Sequence, residues 1–311
     1  MIKSITVTNY LGDSIKLELT RPDLSGFIVK PITGLGPVKA SIKTTKVASD
    51  DGERYNSSTR DKRNIVLNLE FMMTATETIE DIRHKSYKYF PLSKSVKLRI
   101  ENDNRIVETE GYVESNEPDI FSANESASIS IICPDPYLYA TKNQYTSFGD
   151  VIPMFEFPME NASLTQPLIE FARVERLSER NIYYEGDVEA GITIMMYTTG
   201  TIESDITILN TLTKEEMTIN TAKIAQIVGD TTNKGLINGD VITISTSKRN
   251  KRSVTLVRNA QTYNILNCLP KGTPWFQLAK GDNLFTYTTS DSNESLYITF
   301  HVYNKVIYDG V

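Results

Sequence analysis

At 311 residues the chain is long for one domain and comfortable for two, each able to bury its own core. A formal net charge of -6 argues against a dedicated nucleic-acid binder, which needs a basic surface to displace counterions from phosphates. Two cysteines (Cys133, Cys268) and two histidines (His84, His301) exclude a disulfide framework and a histidine-rich metal centre, so no metal or cofactor is expected.

The N-terminus, MIKSITVTNYLGDS, lacks the apolar core of a signal peptide, and no run is long enough to cross a bilayer. The expectation is a protein folded in a reducing cytoplasm without membrane insertion. The sequons at Asn56, Asn124, Asn161 and Asn293 are what a chain rich in Asn, Ser and Thr produces by chance.

Period-two alternation begins early. Ile15, Leu17 and Leu19 point one way while Lys16, Glu18 and Thr20 point the other, which predicts a strand with one buried face. An apolar stretch from Val38 to Val47 and a strand from Ile65 enclose ASDDGERYNSSTRDKRN, which is polar and turn-rich. The spacing predicts a long hairpin over about residues 38–73 whose tip projects beyond the core. Its second arm carries the stripe Ile65, Leu67, Leu69, Phe71 and Met73.

Residues 76–91, TETIEDIRHKSYKYFP, break the alternation. Ile79, Ile82, Tyr87 and Phe90 fall near helical spacing, Thr78 and Asp81 resemble a capping box, and Pro91 marks the stop. One amphipathic helix is predicted there, its apolar side on the first-half sheet, and a second helix is not. Val96, Leu98 and Ile100 return to alternation, as do Ile129, Ile131 and Cys133.

Pro134, Pro136, Pro153, Pro158 and Pro167 then interrupt any ladder, because proline lacks the donor a central strand needs. The boundaries expected are a first domain over 1–139, a proline-marked connector over 140–167 and a second domain over 168–311. In the second half, strands are predicted around Ile192–Met196, Ile206–Ile208, Met217–Ile219, Ile242–Ile244, Val254–Leu256 and Leu296–Val302. The fold class is mainly β.

Catalytic chemistry finds little support. Cys133 continues a buried apolar face and has no histidine motif beside it to generate a thiolate, and Cys268 in ILNCLP reads the same way. His84 lies between Arg83 and Lys85 on a solvated helix face, and His301 shares the polar side of its strand with Thr299 and Tyr303. No G-x-S-x-G elbow, no Walker-type lysine and no distinguished carboxylate pair occurs. Two features could meet a partner or a glycan: the basic turn at Lys248, Arg249, Lys251 and Arg252, and the lone Trp275 in GTPWFQLAKGDN. The chain reads as a structural or binding protein and not an enzyme.

The order of these pieces resembles a known family. A strand pair, a long polar-tipped hairpin, one helix, E-G-Y-V-E at 110–114 and I-S-I-I-C-P-D-P-Y together are similar to the first domain of the distal tail (Dit) proteins of long-tailed phages infecting Gram-positive bacteria. GDVEAGITIMMY, NGDVITIST, NKRSVTLV, W-F-Q-L-A-K-G-D-N and a chain ending in Y-D-G-V resemble the family's C-terminal galectin-like β-sandwich.

The resemblance implies a virion protein at the distal end of a tail, or of a tail-derived bacteriocin, made in the host cytoplasm. Its first domains would form a homohexameric ring between the tail tube protein and the tip or fibre protein. The hairpin would act as a belt on the neighbouring subunit; position in the hairpin, and no family motif, puts the expected ring contacts around Tyr55, Asn56, Arg60 and Arg63. The second domain would serve as a platform for receptor-binding proteins. A carbohydrate-binding module contacting the host cell wall through Trp275 is the alternative.

Overall fold

The computed structural model describes residues 1–46, 51–153, 172–176, 179–230, 232–249, 251–291 and 293–311. The hairpin tip at 47–50, residues 154–171 (which take in the expected connector from 154 onward, with Pro158, Pro167 and the Asn161 sequon) and Asn250 of the basic turn lie outside the described residues. The chain divides into two compact units, Met1–Lys142 with Ile307–Val311, and Asn143–Val306.

The first unit holds β1 (Ile2–Asn9), β2 (Ser14–Glu18), β3 (Phe27–Val29), β4 (Ala40–Lys46), β5 (Glu53–Arg60), β6 (Arg63–Phe71), α1 (Ile79–Tyr89), β7 (Ser95–Asn102), β8 (Ile106–Asp119) and β9 (Ser126–Cys133), and begins β10 (Leu138–Ser147). All pairings are antiparallel. β2, β1, β7 and the first half of β8 form one ladder, while the second half of β8 continues into β9, β6 and β3.

β8 therefore serves two ladders, and it changes over at a bulge between Val113 and Ser115. A bulge bends its strand, which is how one strand turns a corner between sheets. Gly111 sits just before this bend. A Cβ there would meet Ile131 Cγ2 at 2.7 Å, Cys133 Sγ at 2.8 Å and the Ile132 carbonyl oxygen at 3.0 Å. The glycine of E-G-Y-V-E is thus required by the close approach of β9.

The alternating residues Ile5, Val7, Leu17, Ile65, Leu67, Leu69, Leu98, Ile100, Ile129 and Ile131 are buried. Met73, at the end of the predicted stripe, is instead exposed, because β6 stops at Phe71. Helix α1 forms as its signals indicate. The Thr78 side chain accepts from the Asp81 backbone N–H and the Asp81 carboxylate accepts from the Thr78 N–H, so two orphan donors are satisfied. Its buried side is Ile82, Ser86 and the C-cap Phe90, and it packs on β1 and β6. Tyr87, expected on that side, is exposed.

The second unit completes β10 and carries β11 (Gly149–Pro153), β12 (Ala172–Arg176), β13 (Glu179–Tyr184), β14 (Ala190–Thr198), β15 (Ile206–Asn210), β16 (Glu215–Ile219), α2 (Thr221–Val228), β17 (Val241–Ser245), β18 (Ser253–Arg258), β19 (Gln261–Asn264), β20 (Gln277–Leu278), β21 (Gly281–Thr289) and most of β22 (Ile298–Tyr308). One sheet runs β13-β21-β15-β16 and the other β19-β18-β17-β14-β22. Their inner faces meet: the rings of Tyr287 on β21 and Phe300 on β22 lie 4.3 Å apart, and Phe276 and Phe285 5.4 Å apart. This is a two-sheet sandwich. Leu296, read as part of the last strand, lies in a 3-10 turn and is exposed.

Helix α2 was not predicted. It is eight residues long, too short to show a helical stripe against its β surroundings, yet its ends are marked. Asn220 accepts from the Lys223 N–H, and Gly229 closes it in the left-handed region at φ 74°. Beyond it, Arg258 is buried and binds the buried Asp240 at 2.6 Å, Asp230 at 3.2 Å and the Gly235 carbonyl at 2.9 Å. That network closes the loop between α2 and β17.

Candidate functional site

The hairpin predicted over 38–73 is the feature the first unit cannot account for by its own packing. Every residue of β4 and of β5 is exposed, and the two strands pair only with each other. Isolated two-stranded ribbons are marginal in water. Two cross-strand side-chain contacts bind the arms, Asn56 donating to Thr45 at 2.6 Å and Thr44 to Glu53, while Tyr55 donates to Ser58 within β5 at 3.0 Å.

The root of this arm is built very differently. β6 starts at Arg63, whose side chain is 1% exposed. Its guanidinium donates to four carbonyl oxygens, those of Pro136 at 2.7 Å, Gly34 at 2.6 Å, Gly36 at 2.7 Å and Asp309 at 2.7 Å. Three stretches of chain distant from Arg63 converge on one cation. The planar fork of arginine suits this, since its N–H groups point outward at fixed angles. Burial pulls its pKa down, while Cys133, Asp309 and Asp135 pull the other way.

Around it the contacts continue. Arg60 pairs with the Asp309 carboxylate at 2.8 Å and lies over the Tyr137 ring at 5.0 Å. Val311 N–H donates to the Leu35 carbonyl, and Arg105 lies over the Tyr308 ring. Gly34 approaches β6 so closely that a Cβ would lie 1.8 Å from the Asn64 carbonyl oxygen, at φ +83°. Asp135 accepts from the Tyr137 N–H and the Tyr139 hydroxyl, turning the chain between two prolines.

Of the four residues expected at a ring contact, Tyr55 and Asn56 lie in the exposed arm and Arg60 at its root. Arg63 requires a correction. It is buried inside the unit with its donors committed to backbone carbonyls, so it anchors the arm and offers no surface. Y-D-G-V also moves: read with the second domain, residues 308–311 belong to the first unit and brace the same root. Asp309 was not singled out in sequence, and nothing local marks it.

In the second unit, Trp275 is half-buried with Arg252 stacked over it at 5.5 Å. Lys248 pairs with Glu189 at 3.1 Å, while Arg249 and Lys251 lie in the same exposed turn. His301 stands on the outer side of β22 as expected, among Tyr145, Tyr197 and Tyr303. The Tyr145 hydroxyl hydrogen-bonds its Nδ1 at 2.6 Å, and burial lowers its pKa. His84 lies exposed on α1 beside Glu80.

Both thiols are fully buried. Burial raises the Cys133 pKa against the opposing Thr109 hydrogen bond and Arg63, and raises that of Cys268 to about 11. Neither is a thiolate at neutral pH. Among the described residues no group of His, Cys, Asp and Glu is placed to hold a metal ion, and no helix is long and apolar enough to cross a membrane.

No family model matches the chain, and no curated protein matches it. Solved structures do. The crystal structure of the Dit protein (gp 19.1) of phage SPP1, described as a paradigm of the hub adsorption apparatus in phages infecting Gram-positive bacteria, is 12% identical with a TM-score of 0.63, covering 98% of this chain and 99% of that one. Two structures of the phage P2 baseplate in its activated conformation, with Ca and with Sr, are each 12% identical with a TM-score of 0.44. The first covers 100% of both chains and the second 99% of both. The likeness to SPP1 Dit spans both units, so this chain has the fold of that protein along its length.

Proposed function

We propose that this chain is a structural virion protein, the hub at the distal end of a phage tail. Six copies form a ring through their first units, joining the tail tube to the tip protein and carrying receptor-binding proteins on the second, galectin-like units. The observation that carries this reading is the arm: fifteen strand residues exposed on every side, held at a root where a buried arginine binds four carbonyls from three other segments. A polar ribbon with open edges is a liability for a free monomer and a natural element of a closed cyclic assembly, where it finds a partner. The shared fold with SPP1 Dit supports the same reading.

Native mass spectrometry and negative-stain microscopy of the purified full chain test it. Rings of six are the expected species. A chain that remains monomeric at every concentration and does not co-purify with tail tube or tip proteins would overturn it.

A further inference from the structure

The exposed arm has two unlike sides. Cross-strand partners share a face, so the register sets Ser41 with Thr59, Lys43 with Ser57 and Thr45 with Arg54 on one side. That side carries two cations among hydroxyls and no carboxylate. Among the described residues the arm's one ion pair is Arg60 with Asp309 at the root, so Lys43 and Arg54 have no ion-pair partner among them.

The second half of β8 and β9 present the complement. Ser115 faces Ser130, Glu117 faces Ser128 and Asp119 faces Ser126, all on the side away from buried Ala127, Ile129 and Ile131. Glu114, at the bulge, accepts from the Ser130 hydroxyl at 2.8 Å. None of Glu114, Glu117 and Asp119 makes an ion pair among the described residues. Tyr112, 49% exposed, stands at the near end of the stripe. Three carboxylates thus lie along a ladder of small serines that leaves room for another backbone to approach.

The arm of the same copy does not cover this stripe, since all its strand residues are exposed. The lengths agree: β5 and β9 are each 8 residues, about 26 Å at roughly 3.3 Å per residue. We propose that the Lys43–Arg54 side of the arm in one copy docks on the Glu114–Glu117–Asp119 stripe of a second copy. This rests on the assembly reading above and names its interface. The contact joins unlike surfaces, so it propagates from copy to copy until a ring closes. Opposite charges steer the encounter and fix its register, and salt weakens it.

Charge exchange in the full chain tests it. K43E/R54E makes the arm acidic, E114K/E117K makes the stripe basic, and each variant alone sets like charges against like. Each is expected to weaken assembly at least tenfold by analytical ultracentrifugation in dilute salt, with a circular-dichroism melt matching the parent. An equimolar mixture of the two is expected to co-assemble in a 1:1 ratio, because each arm then meets an opposite stripe. Either double variant assembling like the parent, or a mixture that fails to co-assemble, overturns the proposal. A chain with residues 41–59 replaced by a short turn separates the two readings. If it fails to assemble while both charge variants assemble normally, the ring stands and this stripe is discarded. If the parent chain itself never associates, both fall.

Discussion

The Arg63 guanidinium donates to the backbone carbonyl of Asp309 at 2.7 Å, across 246 positions of sequence. The Asp309 carboxylate meanwhile holds Arg60 at 2.8 Å, so one residue near the chain's end ties both the start of β6 and the last residue of β5. The exposed arm is therefore rooted in a buried guanidinium and its hydrogen-bond network.

Replacing Arg63 by Met should leave four part-buried carbonyls without the donor they have. Unsatisfied buried polar groups cost ~1–3 kcal/mol each, and relaxation recovers part of that, so a loss on the order of 3–5 kcal/mol is expected. Denaturant melts of the full chain measure it. A change under about 1 kcal/mol would show that solvent replaces the fork.

Removing Ile307–Val311 should loosen the same root from the other side. Amide exchange at β4, β5 and the first residues of β6 is expected to accelerate, while β1 and β7 keep their protection. Deletion and Arg63→Met should be strongly non-additive, because both break the one network.

Gly111→Ala should destabilise the first unit by about 1–3 kcal/mol, since a Cβ 2.7–2.8 Å from Ile131 and Cys133 forces the corner of β8 away from β9. Pairing it with Cys133→Ala, which withdraws one obstructing atom, should recover part of the loss. An additive pair would refute the steric account.

The thiols of Cys133 and Cys268 should resist Ellman's reagent in the native protein and both react on denaturation, burial having raised their pKa values. Rapid labelling of the folded chain at neutral pH would contradict the buried placement.

His301 has a folded pKa below its ordinary value, so the unfolded chain binds the proton more tightly. Its contribution to stability is therefore full above the unfolded value, about 6.5, and is lost as pH falls through that value toward the folded one. His301→Gln should flatten the stability curve between about pH 7 and 5. An unchanged slope would show that the ring gains no net preference for the neutral form.

Much of the fold was legible because its signals are local. The stripe from Ile65 to Phe71 alternates every second residue, and the Thr78–Asp81 box announces α1 within four residues. The arm could be read from its polarity, since Ala48 to Thr59 offers almost nothing apolar to fill a core. Tyr87 and Leu296 were misplaced because apolar character alone does not say where an element ends. The Asn220 and Gly229 caps of α2 were present but bracket too few residues to stand out.

The sequence by itself thus determined a mainly β chain, the place of α1, the projecting arm and the inert burial of both cysteines. Only the tertiary structure decided that Arg63 is an internal anchor, that Tyr308–Val311 returns to the first unit, and that Gly111 is required where β8 turns. The physical reason is common to all three. A guanidinium is satisfied by carbonyl oxygens and a glycine by a crowding backbone, and every residue in the chain supplies such groups. Side-chain identity cannot mark which distant peptide will be met, so those assignments exist only once the chain has closed on itself.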